Sequence, residues 1–332
     1  MTATAVPSDL RARLAVSLVF VILGCTQGSW MARIPAIRDQ VGLDTSALPA
    51  LVLGLAVWGL SATFLNTPVN ALAVAVERAH GSPLMSRFHA SFSCGVLAGG
   101  AIGTLAAAGG VPPGVQLAAS STVLGALLLV LGGRLPDEEV AAERHRRSLR
   151  HRFTPQLVLL AGVAFLASFV EGAASQWSSV FTADYLHEGA ALGAATYTCF
   201  TVAILVGRLV GDRFVARWGR RVFVQVSLLT IALGAGVGLV HPGLPYALAG
   251  FTVVGLGLAC VLPAVFALAG RQPEVPPGEA VSVITIGQWP GFLLAGPVVG
   301  LLAGATSLRL ALASLAVAGL GAAVLTSRIS MA

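Results

Sequence analysis

The sequence predicts an all-α membrane protein built from about ten transmembrane helices. Hydrophobic residues make up 56% of the 332 residues and charged residues only 10%, so a soluble fold would have too little polar surface to cover its apolar mass. Apolar segments long enough to cross the hydrocarbon core recur along the chain. Clusters of Gly, Pro or Arg separate them.

Ten segments meet this description. They are residues 14–34, 47–76, 88–109, 114–133, 156–180, 190–210, 222–240, 244–268, 280–303 and 306–327. The first follows Arg11 and Arg13, as the apolar part of a secretory signal would. Because the apolar run continues through Trp30 and further spans follow, we expect an uncleaved first helix. The second is long enough to kink, and Pro68 is the expected place.

Residues 134–155 form the one long polar stretch, with four acidic residues followed by RHRRSLRHR. A basic run could bind nucleic acid, but beside a membrane it is more often a topology determinant that touches anionic lipid. We therefore expect membrane lipid and no nucleic acid as a partner. We interpret 134–155 as a cytoplasmic linker between an N-terminal half of four spans (1–133) and a C-terminal half of six (156–332).

The arginines predict the orientation. All 20 basic residues are Arg, and cytoplasmic loops retain positive charge. With the N-terminus inside, only Arg33, Arg38 and Arg309 fall outside. The sequence therefore predicts a multi-pass protein of the cell membrane with both termini cytoplasmic.

The two halves share landmarks in the same order, as expected of a repeat. Trp30 and Trp177 lie near the ends of the first spans, and Pro68 and Pro263 follow. A Gly-rich span comes last in each case, in which Gly95 follows Pro68 by 27 residues and Gly291 follows Pro263 by 28. The interval from Trp to Pro is 38 residues in the first half and 86 in the second. The difference is close to two spanning helices with their loops. The first half therefore resembles the second with two spans removed.

One motif stands out between the sixth and seventh predicted spans. It has the form G-x(3)-G-D-R-x(5)-G-R-R, and we expect it to form a cytoplasmic loop. Its defined positions are Gly207, Arg208, Gly211, Asp212, Arg213, Gly219, Arg220 and Arg221. Small residues at 207 and 211 allow close helix approach, Asp212 can pair with a nearby Arg, and the last arginines can meet lipid.

This spacing resembles the loop signature of the major facilitator superfamily. The segments Gly28–Ile37, Val69–Arg78 and Pro83–Ala90, with Glu171-Gly172-Ala173 before Trp177, are similar to a bacterial branch related to fucose-permease-like carriers. The resemblance covers nearly the whole chain apart from the gap. It implies a helical bundle of the major facilitator type, arranged 4+6 instead of 6+6, and transport by alternating access. The loop signature of the first half is absent with its two helices.

Glu171 is the carboxylate that we place well inside a predicted span. An acidic residue at a helix centre costs about 2.5–3.5 kcal/mol on insertion scales, so it normally faces a cavity and has a function. Its carboxyl group could bind and release the proton that drives a carrier. An alternative remains open, in which Glu171 only hydrogen-bonds a neighbouring helix, since Ser168 and Ser175 share its face.

A set of amide and indole side chains on several spans could hold a small polar, sugar-like or drug-like substrate. The set consists of Gln27, Trp30, Asn66, Asn70, Gln176, Trp177 and Gln288, with Trp289 beside the last. For any single member, helix packing or interface anchoring is an alternative. We expect His89 to be an interfacial residue.

The sequence contains no nucleotide-motor, zinc-hydrolase or serine-hydrolase motif. We therefore expect no enzyme, no cofactor and no metal site. The leading hypothesis is a proton-coupled secondary transporter of the inner membrane. The missing pair of helices motivates a second one, a carrier remnant that no longer transports and acts as a membrane partner or has no function.

Overall fold

The computed structural model describes residues 10–33, 37, 48–133 and 152–329, and residues 48–63 only by their backbone. Within these ranges the chain is helical and contains no strand. The helices are α1 (Leu10–Met31), α2 (Leu48–His80), α3 (Met85–Ala108), α4 (Pro113–Gly132), α5 (Pro155–Val180), α6 (Ala190–Trp218), α7 (Arg220–Val240), α8 (Leu244–Leu258), α9 (Val261–Ala269), α10 (Pro277–Ala305) and α11 (Leu308–Ser327). A π-helical turn, Phe181–Tyr185, extends α5.

Most of these helices can cross a membrane. Among the described residues, nine helical segments are long and apolar enough, and α8 and α9 together count as one of them. The long helix α2 is a further candidate, although the side chains of residues 48–63 lie outside the described part of the chain. The predicted fold class, an all-α membrane protein, is confirmed. The predicted linker falls almost wholly on residues 134–151, outside the described residues.

Two predicted spans differ most from the helices of the structure. The span predicted at 244–268 is broken, because α8 ends at Leu258 and α9 begins at Val261. The span predicted at 190–210 continues as α6 to Trp218. Hydropathy marks the membrane-embedded part of a helix and misses the polar turns by which the helix continues beyond it.

The chain divides into two compact units. The first contains the described residues up to 81 together with 87–133, and the second contains 82–86 and 152–329. Residues 82–86, at the start of α3, thus group with the second unit rather than with the rest of that helix.

In the first unit, α1 and α3 pack through glycines on both helices. A Cβ at Gly24 or Gly28 of α1 would overlap the backbone of Phe92 or Val96 on α3. In the reverse direction, a Cβ at Gly95 or Gly99 of α3 would overlap backbone carbonyls of α1. Small residues at four-residue spacing allow helix backbones to approach this closely in a membrane.

The second unit repeats this arrangement between its first helix, α5, and the Gly-rich helix α10. A Cβ at Gly287 would overlap the carbonyl of Ala161, and one at Gly291 would overlap that of Phe165. Gly95 and Gly291, which the sequence matches between the halves, therefore occupy equivalent packing positions against the first helix of their unit.

Two of the arginines predicted outside bind backbone carbonyl groups. Arg33, 2% exposed, donates to the carbonyls of Gly103 and Val111. Arg309 donates from Nε to Leu239 O at 2.6 Å and from a terminal nitrogen to Val240 O at 2.8 Å, at the end of α7. A cation at a helix C-terminus is stabilised by the orphan carbonyls there. Arg38 lies outside the described residues.

Candidate functional site

A buried ion pair joins α5 and α6 in the second unit. A terminal nitrogen of Arg208 lies 3.6 Å from Oε1 of Glu171, and the side chains are 8% and 24% exposed. The carboxylate is therefore the more accessible partner. Two opposite charges at this distance attract by about 5 kcal/mol at the effective dielectric of a partly buried site. The contact is compatible with both roles considered for Glu171, since the carboxylate that could bind a proton also contacts a neighbouring helix.

Arg208 also binds the break between α8 and α9. Its Nε donates to the carbonyl of Ala259 at 3.1 Å, one of the groups that the end of α8 leaves without an intrahelical partner. The thiol of Cys260 donates to the carbonyl of Gly207 at 3.4 Å. One guanidinium thus connects the carboxylate of Glu171 with the interrupted helix.

The predicted loop motif is mostly helical, which corrects the prediction. Gly207, Arg208, Gly211, Asp212 and Arg213 lie within α6. Only Gly219 forms a turn, with a positive φ of 76° that favours glycine. Arg220 and Arg221 then begin α7, and Arg221 donates to Ser327 O at 3.2 Å. Arg208 is therefore a buried residue of α6 and not a cytoplasmic loop residue, while Arg213 is exposed.

The central glycine and the aspartate of the motif both contact other parts of the second unit. Oδ1 of Asp212 accepts the backbone N–H of Ser86 at 3.2 Å. Gly211 lies against Cys260, whose Sγ a Cβ at this position would overlap. The close helix approach predicted for these glycines is thus directed at the break between α8 and α9.

Two further carboxylates lie inside helices, just beyond the ends of the spans that the sequence predicts. Glu77 in α2 is 1% exposed and Asp212 in α6 is 4% exposed. Sequence reasoning missed both because it ended these spans at 76 and 210, where polar residues begin. Glu171 differs in being partly accessible.

In the first unit, Asn66 and Asn70 form a network with His89. Nδ2 of Asn70 donates to the backbone carbonyl of Asn66 at 2.9 Å and to its side-chain oxygen at 2.6 Å. Oδ1 of Asn70 lies 3.2 Å from Nε2 of His89, and the imidazole packs on Phe20 with ring centroids 5.3 Å apart. His89 is 9% exposed, so its ring is buried among protein groups.

This network indicates which ring nitrogen of His89 donates to Asn70. A backbone carbonyl can only accept, so the amide nitrogen of Asn70 must point to Asn66 and its oxygen to His89. Nε2 of His89 therefore carries a proton and donates. Asn70 uses both ends of its amide within the protein and positions His89.

The other two candidates of the first unit lie at the end of α1. Gln27 is half-buried, with its amide nitrogen 3.9 Å from the sulfur of Met31. Trp30 is half-buried as well. Sequence reasoning missed the nearby Gln116, 6% exposed, whose amide donates to Ser29 at 2.6 Å and to Ser120 at 2.9 Å.

In the second unit, the candidates on α5 lie against glycines of α10. The side-chain oxygen of Gln176 occupies the space where a Cβ at Gly296 would be, and the indole of Trp177 lies 3.3 Å from the corresponding position at Gly300. Gln288 and Trp289 of α10 are half-buried. The indole nitrogens of Trp177 and Trp289 and Oε1 of Gln288 are buried without a hydrogen-bond partner. The predicted set is thus divided between the units, with Gln27, Trp30, Asn66 and Asn70 in the first.

Within the described part of the chain, no three His, Cys, Asp or Glu side chains are grouped closely enough to hold a metal ion. A small cavity among α7, α8 and α11 is lined by apolar residues such as Phe251 and Leu315. It offers no polar side chain for orienting a polar ligand.

Comparisons with known proteins agree with this architecture. The family model of the Major Facilitator Superfamily matches residues 9–274. An uncharacterised transporter of Sinorhizobium fredii is 30% identical over 291 residues, 87% of this chain and 77% of that protein. An uncharacterised MFS-type transporter of Yersinia pestis is 26% identical over 364 positions, 92% of this chain and 93% of that protein.

A crystal structure of the E. coli fucose:proton symporter FucP, solved as a single-residue variant, has the same fold. The TM-score is 0.67 at 16% identity, with coverage of 97% of this chain and 84% of that chain. The alignment with the Yersinia pestis protein has more positions than the 332 residues of this chain. At least some of its positions therefore have no counterpart here.

Proposed function

The chain belongs to the major facilitator superfamily, and we propose that it carries a small molecule across the cytoplasmic membrane by alternating access, driven by protons that bind Glu171. Membership of this family makes the chain a membrane transport protein and not an enzyme. The contact between Glu171 and Arg208 is the observation that carries the proton-coupled part of the proposal.

Protonation of Glu171 neutralises the carboxylate and removes most of its attraction to Arg208. The contact between α5 and α6 then weakens, and Glu171 no longer holds the terminal nitrogens of the guanidinium whose Nε binds the carbonyl of Ala259. A proton can thus change how α5, α6 and the break between α8 and α9 are held together, which is the link that coupled transport needs. FucP, a fucose:proton symporter, gives such coupling a precedent in this fold.

The proposed substrate is small and polar, because the candidate side chains offer amides and indoles. We assign Gln27, Trp30 and Asn66 of the first unit and Gln176, Trp177 and Gln288 of the second to the substrate route. Unsatisfied buried polar atoms on Trp177 and Gln288 support this, since such atoms need a partner. Asn70 positions His89 instead.

We further propose a 4+6 arrangement with both termini cytoplasmic. Four long helices precede residues 134–151 and six membrane-length segments follow among the described residues. The carbonyl partners of Arg33 and Arg309 support this orientation, because they offset the positive charge of arginines outside.

The remnant hypothesis is disfavoured. A first unit damaged by loss of two helices should lack close packing, whereas α1 and α3 interlock through Gly24, Gly28, Gly95 and Gly99. The carrier relatives also align along most of this chain.

Transport into proteoliposomes with an imposed pH gradient tests the proposal. A panel of sugars, amino acids, nucleosides and hydrophobic drugs is first screened for compounds that raise the unfolding temperature of the purified protein, since binding to the native state stabilises it. Wild type should then accumulate the selected compound above equilibrium. Glu171→Gln should only equilibrate it, and the exposed Glu188→Gln serves as a matched control that accumulates like wild type. Gradient-driven accumulation by Glu171→Gln would remove Glu171 from the proton pathway.

A further inference from the structure

We infer that the substrate is an acid, a small molecule whose carboxylate binds Arg208 when the proton occupies Glu171. This inference rests on the proposed function and narrows its substrate class. It follows from the charges that surround the pair.

Few charged groups of the described residues lie near Glu171 and Arg208. Asp212, one turn further along α6, is buried and accepts the N–H of Ser86. Tyr197 on α6 lies within electrostatic range of Glu171, and Cys260 faces α6 with its thiol bound to Gly207. The other charged side chains of α5–α11 lie near the ends of their helices. The charge balance of the site therefore depends mainly on Glu171.

A proton on Glu171 raises the net charge of this site by one, whatever other contacts Arg208 and Asp212 make. With a neutral substrate, such as the fucose of FucP, the protein itself must offset that extra charge, which is costly within the membrane. An anionic substrate restores the balance, so that the empty and the fully loaded site carry the same net charge. Binding of the proton and the acid together is then favoured, and binding of either one alone is disfavoured. Coupled transport requires this relation between two ligands.

The contact between Arg208 and Glu171 is loose enough for this exchange. The distance of 3.6 Å between Arg208 and Glu171 is longer than a charge-assisted hydrogen bond, so the carboxylate does not hold the guanidinium tightly. Glu171, with 24% of its side chain exposed, is the more accessible partner of the pair. A substrate carboxylate can then take the place of the protonated Glu171 carboxyl at the terminal nitrogens, while Nε stays on Ala259 O.

Matched pairs of acids and neutral analogues test the inference by thermal unfolding in detergent, in acid and in alkaline buffer at equal ionic strength. The probes are D-galacturonate and D-galactose, D-gluconate and D-glucitol, L-lactate and L-lactamide, and nicotinate and nicotinamide. At least one acid should raise the wild-type unfolding temperature by about 5 °C at concentrations about 100-fold above its Kd. Its neutral partner should not.

The pH dependence and three variants identify the residues. The shift in wild type should be larger in acid buffer, because the proton and the acid favour each other's binding. Glu171→Gln, which imitates the protonated carboxyl, should show the full shift in both buffers. Arg208→Gln should show none, Arg208→Lys should keep part of it, and Arg217→Gln, which removes an exposed charge from the same helix, should match wild type.

The inference is overturned if, in every pair, the acid and its neutral partner raise the unfolding temperature equally in both wild type and Glu171→Gln. A full acid shift in Arg208→Gln would overturn it too. If Arg208→Gln does not fold, the role of Arg208 is tested by comparing the acid-induced shift of Arg208→Lys, expected to be partial, with that of Glu171→Gln, expected to be full. A neutral compound that binds and is accumulated with protons contradicts the acid inference alone. An acid that binds but is never accumulated contradicts the proposed carrier and leaves acid binding intact.

Discussion

Asp212 accepts the backbone N–H of Ser86 at 3.2 Å, at the first turn of α3. The first N–H groups of a helix have no intrahelical partner, and the positive end of the helix dipole favours an anion there. Asp212 is 4% exposed and Ser86 2% exposed, so water does not compete for this bond. The carboxylate thus holds residues 82–86 in the second unit.

Replacing Asp212 by Ala should destabilise the protein by about 1–3 kcal/mol, because a buried N–H loses its acceptor. Asp212→Asn keeps an acceptor oxygen and should lose less. Tryptophan fluorescence during thermal unfolding in detergent measures both, with Asp184→Ala as the control for an exposed aspartate. Equal unfolding temperatures for wild type and Asp212→Ala would show that this bond contributes nothing.

A second prediction concerns the contact of Gly211 with Cys260. A Cβ at Gly211 would overlap Cys260 Sγ, whereas the next atoms, Cys260 Cβ and Ser86 Oγ, lie at 3.4 and 3.5 Å. Gly211→Ala should therefore destabilise the protein by about 1–3 kcal/mol. Adding Cys260→Ala removes the overlapping sulfur and should restore most of the loss.

Unfolding temperatures of wild type, both single variants and the double variant complete this cycle. The coupling should be strongly favourable, as for residues in direct contact. If the effects of Gly211→Ala and Cys260→Ala on the free energy of unfolding are additive, Gly211 and Cys260 are not in direct contact.

The sequence predicted the fold class and most helices because hydropathy and helix length determine what can cross a bilayer. It also matched Gly95 with Gly291, which proved to pack on equivalent helices. It could not predict that Arg208 lies opposite Glu171. The two residues lie on consecutive helices, and the face that each helix turns towards the other is set by packing. The motif 207–221 was misjudged as a loop for a related reason, since polar residues continue a helix beyond the membrane as readily as they end it.

A third prediction separates ligand binding from positioning at Asn70. Asn70 is 2% exposed and its Oδ1 accepts from His89, so Asn70→Ala leaves the imidazole N–H buried without this acceptor. We expect a loss of about 1–3 kcal/mol in the free energy of unfolding. Asn66→Ala should cost less, because Asn70 can still donate to the backbone carbonyl of residue 66.

Thermal unfolding with and without the compound selected above distinguishes the two roles. A positioning residue lowers the unfolding temperature and leaves the ligand-induced shift in place. An unchanged unfolding temperature with a lost ligand shift would make Asn70 a substrate ligand and contradict its assignment here.

The last prediction tests the glycine contacts that the two units share. Gly95→Ala and Gly291→Ala each place a Cβ into a carbonyl of the first helix of their unit, and backbone cannot give way as a flexible side chain can. Both should destabilise by about 1–3 kcal/mol or more. Gly125→Ala in α4 and Gly236→Ala in α7, where a Cβ meets nothing within 4 Å, should be neutral or stabilise by up to about 1 kcal/mol, since Ala favours helix. If Gly95→Ala unfolds no earlier than Gly125→Ala, the interlock of α1 and α3 does not stabilise the first unit, and the main packing argument against the carrier remnant is lost.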